Sequence, residues 1–186
     1  GAGKDREILL KSTKENAMLR APWLFASWLG GIMAMIIIGG FKEELTKVLA
    51  LASFIPIVMG MGGNIATQSS TIIVRGIATG RINMNEFLKV VFKEMRVGVI
   101  LGVMYGLFLG IVTYFTHTEP PLLGLVVGVS IFSCMIMSAT IGAFIPLLLK
   151  RFDIDAAIAT GPFVTTSIDI VGVFVYFWVA KIFLGL

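Results

Sequence analysis

Cysteine and histidine are almost absent from this chain of 186 residues, which contains one of each. A single cysteine, Cys134, excludes an internal disulfide framework and any metal site built from several cysteines. Cys134 lies in an apolar run and is interpreted as a small packed residue, whereas His117 lies in a polar connection beside Glu119. One histidine alone gives no zinc pattern, and no Ser/His/Asp arrangement or glycine-rich phosphate loop is evident. The sequence therefore predicts a protein that is not an enzyme.

Charged residues are also scarce, at 14% of the chain, whereas soluble domains contain about 25%. Hydrophobic residues make up 57%, more than a chain of this size can bury in a core of its own, so we expect lipid to surround it. The apolar runs are long and continuous, which favours membrane-spanning helices over the short alternating strands of a barrel. The predicted fold class is an all-α polytopic membrane protein.

Five apolar segments approach or exceed the length of about 20 residues that a helix needs to cross a bilayer. They cover approximately residues 22–40, 48–74, 97–115, 122–149 and 160–184. The second and fourth are long enough that we expect them to tilt, kink or extend beyond the lipid. In the third, Gly98, Gly102, Gly106 and Gly110 recur every four residues and predict a face against which another helix packs closely.

Lysine and arginine are distributed unevenly among the connections. Twelve of the fifteen residues lie in three segments: before the first span, between the second and third spans, and between the fourth and fifth spans. The other three are Lys42, Lys47 and Lys181. Cytoplasmic connections carry an excess of these residues, so the N-terminus is predicted inside and the C-terminus outside the cell (inner) membrane. We interpret residues 1–21 as a cytoplasmic segment, either a helix on the membrane surface or a connector, and residues 22–186 as the transmembrane domain.

Asp169 is the only acidic residue that this division places well inside a span. A charge at the bilayer centre costs about 2.5–3.5 kcal/mol on insertion scales, so an intramembrane carboxylate needs an explanation. One explanation is structural: the carboxyl group is protonated or is hydrogen-bonded to Thr165, Thr166 or Ser167. The other is functional, with Asp169 as a binding site for a cation or a proton.

The second span contains a further group of polar residues. Asn64, Thr67, Gln68 and Thr71 follow a spacing of three, four and seven residues, which places them on one face of a helix. Such a face needs water or another polar helix, because exposing it to lipid is unfavourable. It is therefore either a set of hydrogen bonds between helices or the wall of a hydrated path.

The depth of these residues connects the two spans. Asn64 lies about ten residues and Asp169 about nine from the cytoplasmic ends of their spans, so both are expected about 14 Å deep. Just before Asn64, the glycines of residues 60–63 and the more distant Pro56 are expected to loosen the helix. Carbonyls freed there, such as that of Gly63, are candidate ligands for a cation.

Two stretches of the sequence resemble the membrane domain of the MgtE magnesium channels. They are MGGNIATQSSTIIVRGIATGR and PLLLKRFDIDAAIATGPFVTTSIDIVGVFVYF, and the resemblance extends over nearly the whole chain. It implies a homodimer with a pore on the two-fold axis, lined by the second and fifth spans, and it matches Asp169 to the ion-binding aspartate of the family. It also implies cytosolic N-terminal and CBS domains, with residues 1–21 as the remnant of a plug helix. Ala66 departs from the glycine expected in many relatives.

The resulting hypothesis is a channel that conducts largely hydrated Mg²⁺, with Mn²⁺, Ca²⁺ or other divalent ions as further candidates. Mg²⁺ prefers six oxygen ligands and loses water reluctantly, and two copies of Asp169 in a dimer would balance its charge. The other candidate metal-site residues offer neutral oxygens: Asn64, Thr67, Thr165, Thr166, Gly63 and Gln68. A secondary transporter that exchanges divalent cations for sodium or protons is the alternative, and a non-transporting membrane anchor is a third. The expected partners are lipid and a second copy of the chain, without nucleic acid.

Overall fold

The computed structural model of the chain describes residues 12–116, 120–154 and 156–185. The regular elements in these ranges are all helical: α1 Thr13–Gly40, α2 Lys42–Lys47, α3 Ala50–Ala78, a 3₁₀ turn Met84–Glu86, α4 Phe87–Thr116, α5 Leu123–Arg151 and α6 Ala156–Leu184. The predicted all-α fold class is thereby confirmed. His117, Glu119 and the first eleven residues lie outside the described ranges.

Four segments are long and apolar enough to cross a membrane. They are Ala50–Ala78, Met84–Thr116, Leu123–Arg151 and Gly161–Leu184, which confirm the second to fifth predicted spans. A fifth is added if the two parts of α1, Thr13–Pro22 and Leu24–Gly40, are counted as one span, although they meet at an angle of 41°. Pro22 explains the bend, since a proline inside a helix removes one backbone hydrogen bond and clashes with the preceding turn.

The start of α1 is fixed by its sequence. The hydroxyl of Ser12 accepts a hydrogen bond from the backbone N–H of Glu15 (3.4 Å), and the Glu15 carboxylate accepts one from the N–H of Ser12 (2.9 Å). This reciprocal pair satisfies two N–H groups that the first turn of a helix leaves without partners. The helix then continues through residue 21, so the division into a segment 1–21 and a domain 22–186 stays a prediction.

The close approach predicted for the third span is confirmed. A Cβ placed on Gly106 of α4 would lie 2.7 Å from the carbonyl oxygen of Gly128 in α5, and one on Gly98 would lie 2.9 Å from that of Met135. Such distances are shorter than carbon and oxygen atoms tolerate, so α4 and α5 contact each other backbone to backbone. Any larger residue at these positions would push the two helices apart.

Helix α4 begins well before the predicted third span, which corrects one conclusion from the sequence. Its first residue is Phe87 rather than Val97, because the charged first turns form a helix that extends beyond the apolar stretch. Lys93 and Arg96 are exposed in this part, while Glu94 is only 7% exposed. Glu94 thus lies in the charged turns before the apolar stretch, so the statement that Asp169 alone among the acidic residues lies well inside a span stays a prediction.

Helix α3 is continuous from Ala50 to Ala78, including the stretch expected to loosen it. Its glycines keep helical geometry, and the carbonyl of Gly63 accepts a hydrogen bond from the hydroxyl of Thr67 at 2.8 Å. The expected break is wrong because Gly62 packs against α5 and α6, and that packing favours the helical conformation. Pro56 is accommodated within the helix.

The buried core of the described chain is formed chiefly by α3, α5 and α6. Tyr176 of α6 is buried and its hydroxyl donates to the carbonyl oxygen of Leu51 at 2.7 Å, which ties one end of α6 to the start of α3. At the same end, the Lys181 ammonium lies 3.0 Å from the buried Glu44 carboxylate of α2. The hydrogen bond from Lys181 holds the pKa of Glu44 below its ordinary value. These contacts fix α2 against α6 and position the two helices that carry the candidate site.

Candidate functional site

The candidate site lies where α3 and α6 pack together. A Cβ placed on Gly62 of α3 would lie 3.0 Å from Cγ2 of Ile168 in α6, and Ala66 shares a buried cluster with Val164. Residue numbers rise along α3 as they fall along α6, so the two helices are antiparallel. These contacts fix the register between the helices at the level of Asn64.

This register places Asn64 and Asp169 within about one helical turn of each other along the helix axes. Asn64 lies opposite Thr166, and Asp169 lies about 4.5 Å further along the axis, at 1.5 Å per residue. Asn64 is the midpoint of α3, and Asp169 is next to the midpoint of α6. Along the helix axis, each of the two residues lies about 20 Å from the helix end on the side that carries Arg75. This distance exceeds the depth of about 14 Å expected from the apolar segments, because both helices extend beyond those segments. We refer to that side, which also includes Arg151, as the basic side.

The polar residues of α3 form an uncovered face of the chain. Asn64, Thr67, Gln68 and Thr71 are all exposed, whereas Ala66 on the opposite face is completely buried. Within the described ranges no hydrogen bond connects these four residues to another helix, and the Thr67 hydroxyl donates to its own helix. Hydrogen bonding between helices of the same chain therefore does not explain this polar face.

Asp169 is partly buried, and no hydrogen bond or ion pair to its carboxylate is found among the residues that the structure describes. The hydroxyl of Thr165 donates instead to the carbonyl oxygen of Gly161 at 3.0 Å. Thr166 is directed toward α1, where its Cγ2 occupies the space that a side chain on Gly30 would fill. Neither contact joins a threonine hydroxyl to the Asp169 carboxylate.

On the basic side of Asn64, α3 and α6 border a cavity of about 340 Å³. Thr67, Thr71 and Arg75 line it from α3, and Gly161 and Val164 line it from α6. Hydroxyl groups and one guanidinium group thus face a space large enough for several water molecules. The structure brings Thr67 into this cavity, while Gln68, on the same exposed face, is not part of its wall.

Comparison with known proteins now identifies the family. A sequence model of the MgtE family, described as "Divalent cation transporter", matches residues 55–179, which include α6 up to Val179 and most of α3. The chain belongs to the MgtE family. Since its helices are long and apolar enough to cross a membrane several times, it is a multi-pass membrane protein.

Three relatives, each named "Magnesium transporter MgtE", resemble most of this MgtE chain. The protein from Bacillus subtilis is 35% identical over 168 residues, which is 90% of this chain and 37% of the relative. The protein from Thermus thermophilus is 37% identical with the same coverage, and that from Enterococcus faecalis is 30% identical over 98% of this chain and 40% of the relative. This MgtE chain thus spans about two fifths of the length of these relatives.

The oxygen atoms at this candidate site are mainly neutral. Within residues 12–116, 120–154 and 156–185, no group of three or more His, Cys, Asp or Glu side chains is arranged to hold a metal ion. Among the described residues, the candidate site offers one carboxylate, Asp169, together with amide and hydroxyl oxygens on α3 and the Thr165 hydroxyl. Such a set suits an ion that keeps its coordinated waters, because hydroxyl and amide oxygens accept hydrogen bonds from those waters.

Sequence reasoning missed one buried polar pair in this MgtE chain. Ser69 of α3 donates a hydrogen bond to Glu94 of α4 at 2.8 Å, and both residues are nearly inaccessible to solvent. The spacing of the sequence could have indicated that Glu94 is buried. Glu94 precedes Gly98 by four residues, so it lies on the same face of α4 as the glycine stripe, on the basic side. A residue on the face of a helix that packs against its neighbour is expected to be buried.

Proposed function

We propose that this chain forms the ion-conducting domain of a magnesium transporter and that Mg²⁺ is its substrate. The observation that carries the proposal is the Asp169 carboxylate, placed near mid-helix without a recorded protein partner among the described residues and about one turn from Asn64. A charge in this position is unfavourable unless something compensates it, and a passing cation does so. The printed names of the three relatives support magnesium as that cation.

The proposed functional unit is a homodimer whose pore lies on the two-fold axis and is lined by α3 and α6. One Asp169 balances only half the charge of a divalent ion, whereas two symmetry-related copies balance all of it. The uncovered polar face of α3 supports this assembly, because such a face is unfavourable against lipid and favourable beside a hydrated path. Lipid is then expected on the remaining apolar surface.

The proposed site binds Mg²⁺ with most of its water retained. Two carboxylates about 4 Å from the divalent ion would each contribute on the order of 8 kcal/mol at an effective dielectric constant of about 20, before desolvation is subtracted. Asn64, Thr67 and Thr165 would accept hydrogen bonds from coordinated water. The Thr67 and Thr165 hydroxyls remain acceptors although each donates its own proton to a helix carbonyl. Thr166, which packs on α1, is assigned to holding α6 in place.

In the full assembly we propose that the basic side faces the cytoplasm, following the excess of lysine and arginine there. Residues 1–21 would lead from cytosolic N-terminal and CBS domains into the transmembrane domain of residues 22–186. The amide of Gln68 is proposed as a further acceptor for the hydration shell, whereas the Gly63 carbonyl already accepts the Thr67 hydroxyl within the unbroken helix. Mn²⁺ and Ca²⁺ are the divalent ions most worth comparing with Mg²⁺.

Uptake of Mg²⁺ into liposomes tests the proposal and separates its two mechanisms. Purified protein is reconstituted with a fluorescent Mg²⁺ indicator inside, and potassium with valinomycin sets the membrane potential. We expect uptake that follows the potential without a sodium or proton gradient, as a channel requires. Uptake that depends strictly on one of those gradients would instead establish the exchanger, and uptake no faster than in protein-free liposomes would contradict both.

A further inference from the structure

A second cavity, of about 800 Å³, lies on the basic side away from the candidate site, between the end of α3 and the start of α4. Five basic side chains contribute to its wall: Arg75, Arg81, Lys89, Lys93 and Arg96. Only two acidic residues, Glu86 and Glu94, line it as well. We call it the basic pocket.

Both carboxylates of the basic pocket have partners within the protein. Glu86 forms an ion pair with Lys89 at 2.9 Å, and Glu94 accepts the hydroxyl of Ser69. For Arg81, Lys93 and Arg96, no ion pair with another described residue is found. These three side chains are exposed, so the pocket offers positive charge that no ion pair within the described part of the chain neutralises.

The basic pocket also has an apolar wall. Ile72, Ile73, Ile82 and Val90 line it beside the charged groups, and Ile72 is 59% exposed. Beyond the charged turns, the outer surface of α4 becomes apolar, with Ile100 exposed at 69%. The pocket therefore lies at the boundary where a membrane-spanning surface changes from apolar to charged, at the level of lipid headgroups.

We propose that the basic pocket binds the phosphate group of an anionic glycerophospholipid, with an acyl chain lying along Ile72. Arginine and lysine side chains bind phosphate oxygens through charge-assisted hydrogen bonds, and arginine can bind two of them at once. A basic pocket between transmembrane helices is a known arrangement for headgroups of this kind. The apolar wall favours a lipid over free phosphate, because only a lipid covers both surfaces together.

Charge-matched variants distinguish a built pocket from a generally basic surface. Arg81→Gln with Lys93→Gln removes two charges from the pocket, whereas Lys150→Gln with Arg151→Gln removes two exposed charges from the same side at the end of α5. Arg81→Lys retains the charge and serves as a rescue variant. Arg75 is left unchanged because it also lines the cavity beside the candidate site.

The measurement is native mass spectrometry of each purified variant titrated with phosphatidylglycerol, with phosphatidylcholine as the neutral reference. We expect the pocket variant to bind phosphatidylglycerol about tenfold or more weakly than the wild type, given the contribution of each basic residue near a charged surface. The α5 control and Arg81→Lys should bind within about twofold of the wild type. Thermal unfolding curves that match among the variants would show that folding is unaffected.

Three results would contradict the proposal. Equal binding of phosphatidylglycerol and phosphatidylcholine by the wild type would exclude recognition of an anionic headgroup. An equal loss of phosphatidylglycerol binding in the pocket variant and the α5 variant would show that general surface charge, rather than the pocket, binds the lipid. Displacement of phosphatidylglycerol by millimolar inorganic phosphate or pyrophosphate, at constant ionic strength, would assign the pocket to a soluble phosphate ligand. Because the readout is binding, it does not depend on whether the chain transports magnesium.

Discussion

Glu94 illustrates how a carboxylate is accommodated inside this helical bundle. It lies at the end of the α4 glycine stripe, faces α3, and accepts one hydrogen bond from Ser69. A buried polar group that loses its partner costs about 1–3 kcal/mol, because desolvation is then not compensated. The pair therefore fixes α3 to α4 at the basic side of the chain.

We predict that Ser69→Ala lowers the free energy of unfolding by about 1–3 kcal/mol, since Glu94 keeps its burial and loses its donor. Ser70→Ala is the matched control: it makes the same truncation at a buried neighbour that is not bonded to Glu94. Thermal unfolding in detergent measures both. Equal midpoints for the two variants would show that the hydrogen bond contributes nothing to stability.

The contact between Glu44 and Lys181 predicts a dependence of stability on pH. The pKa of Glu44 is lowered by its hydrogen bond from Lys181, so the folded state binds a proton less readily than the unfolded state. The stabilisation is present above the pKa of an unperturbed glutamate, about 4.3, and is lost as the pH falls through the lower pKa of the folded state.

We therefore expect wild-type stability to fall more steeply with acidification below about pH 4.3 than that of Glu44→Gln, which has no proton to gain at this position. Unfolding midpoints measured between pH 3 and 7 provide the comparison. Glu43→Gln, at an exposed position of the same helix, is the control. Parallel curves for wild type and Glu44→Gln would refute the proposed contribution of the ion pair.

At the scale of elements, the contact between α4 and α5 is the one most sensitive to side-chain size. We predict that Gly106→Ala destabilises the chain by about 1–3 kcal/mol, because the added methyl group would overlap the carbonyl oxygen of Gly128. Gly31→Ala is the matched control, since a Cβ there meets no atom within 4 Å and alanine favours a helix. If the two variants unfold at the same temperature, the close approach of α4 and α5 is not rigid.

The helices themselves were largely predictable from the sequence, because long apolar runs are typical of membrane-spanning helices. The second to fifth spans and the packing role of the glycine stripe agree with the structure. The start of α4 was not predictable in the same way, because its first turns are charged. A high mean hydropathy marks only the apolar part of a helix and does not detect charged turns that precede it. The continuity of α3 was missed because glycine and proline lower helix propensity locally, whereas tertiary packing at Gly62 outweighs that preference.

The sequence predicted that the candidate site residues lie at a similar depth, but it did not predict which neighbouring helix each side chain contacts. Helix periodicity placed Asn64 and Thr67 on one face, and the structure leaves that face exposed. Periodicity within one helix says nothing about neighbouring helices, so the contact of Thr166 with Gly30 required the three-dimensional structure. The pairing of Ser69 with Glu94 joins residues 25 positions apart, and it too depends on how two helices pack.

At the scale of the whole molecule, we predict a dimer in which the polar faces of two α3 helices oppose each other. In a Cys134→Ser background, Thr71→Cys should form a disulfide between two copies, because Thr71 lies on the uncovered polar face. Ile72→Cys, at a position that is also exposed but about 100° around the helix, should not. Electrophoresis after mild oxidation provides the readout. Cross-linking through Ile72 in preference to Thr71 would place a different face at the interface.

The central claim, that Asp169 is the ion site, is tested by Asp169→Asn. Asparagine keeps the size of the side chain and removes one charge per copy, so a dimer would present no charge to Mg²⁺ in place of two. Folding should be retained, because removing an unpaired charge from a membrane helix is favourable. Asp153→Asn is the control: it makes the same substitution at an exposed residue with φ of 55°, a conformation that asparagine readily adopts.

The most direct measurement is the initial rate of Mg²⁺ uptake into liposomes at low Mg²⁺ concentration, with equal amounts of wild type, Asp169→Asn and Asp153→Asn reconstituted. We predict at least a tenfold loss for Asp169→Asn, since a loss of only about 1.4 kcal/mol in ion binding suffices for that factor. Asp153→Asn should transport at the wild-type rate. Wild-type uptake by the Asp169→Asn protein would contradict the account and remove the carboxylate from the mechanism.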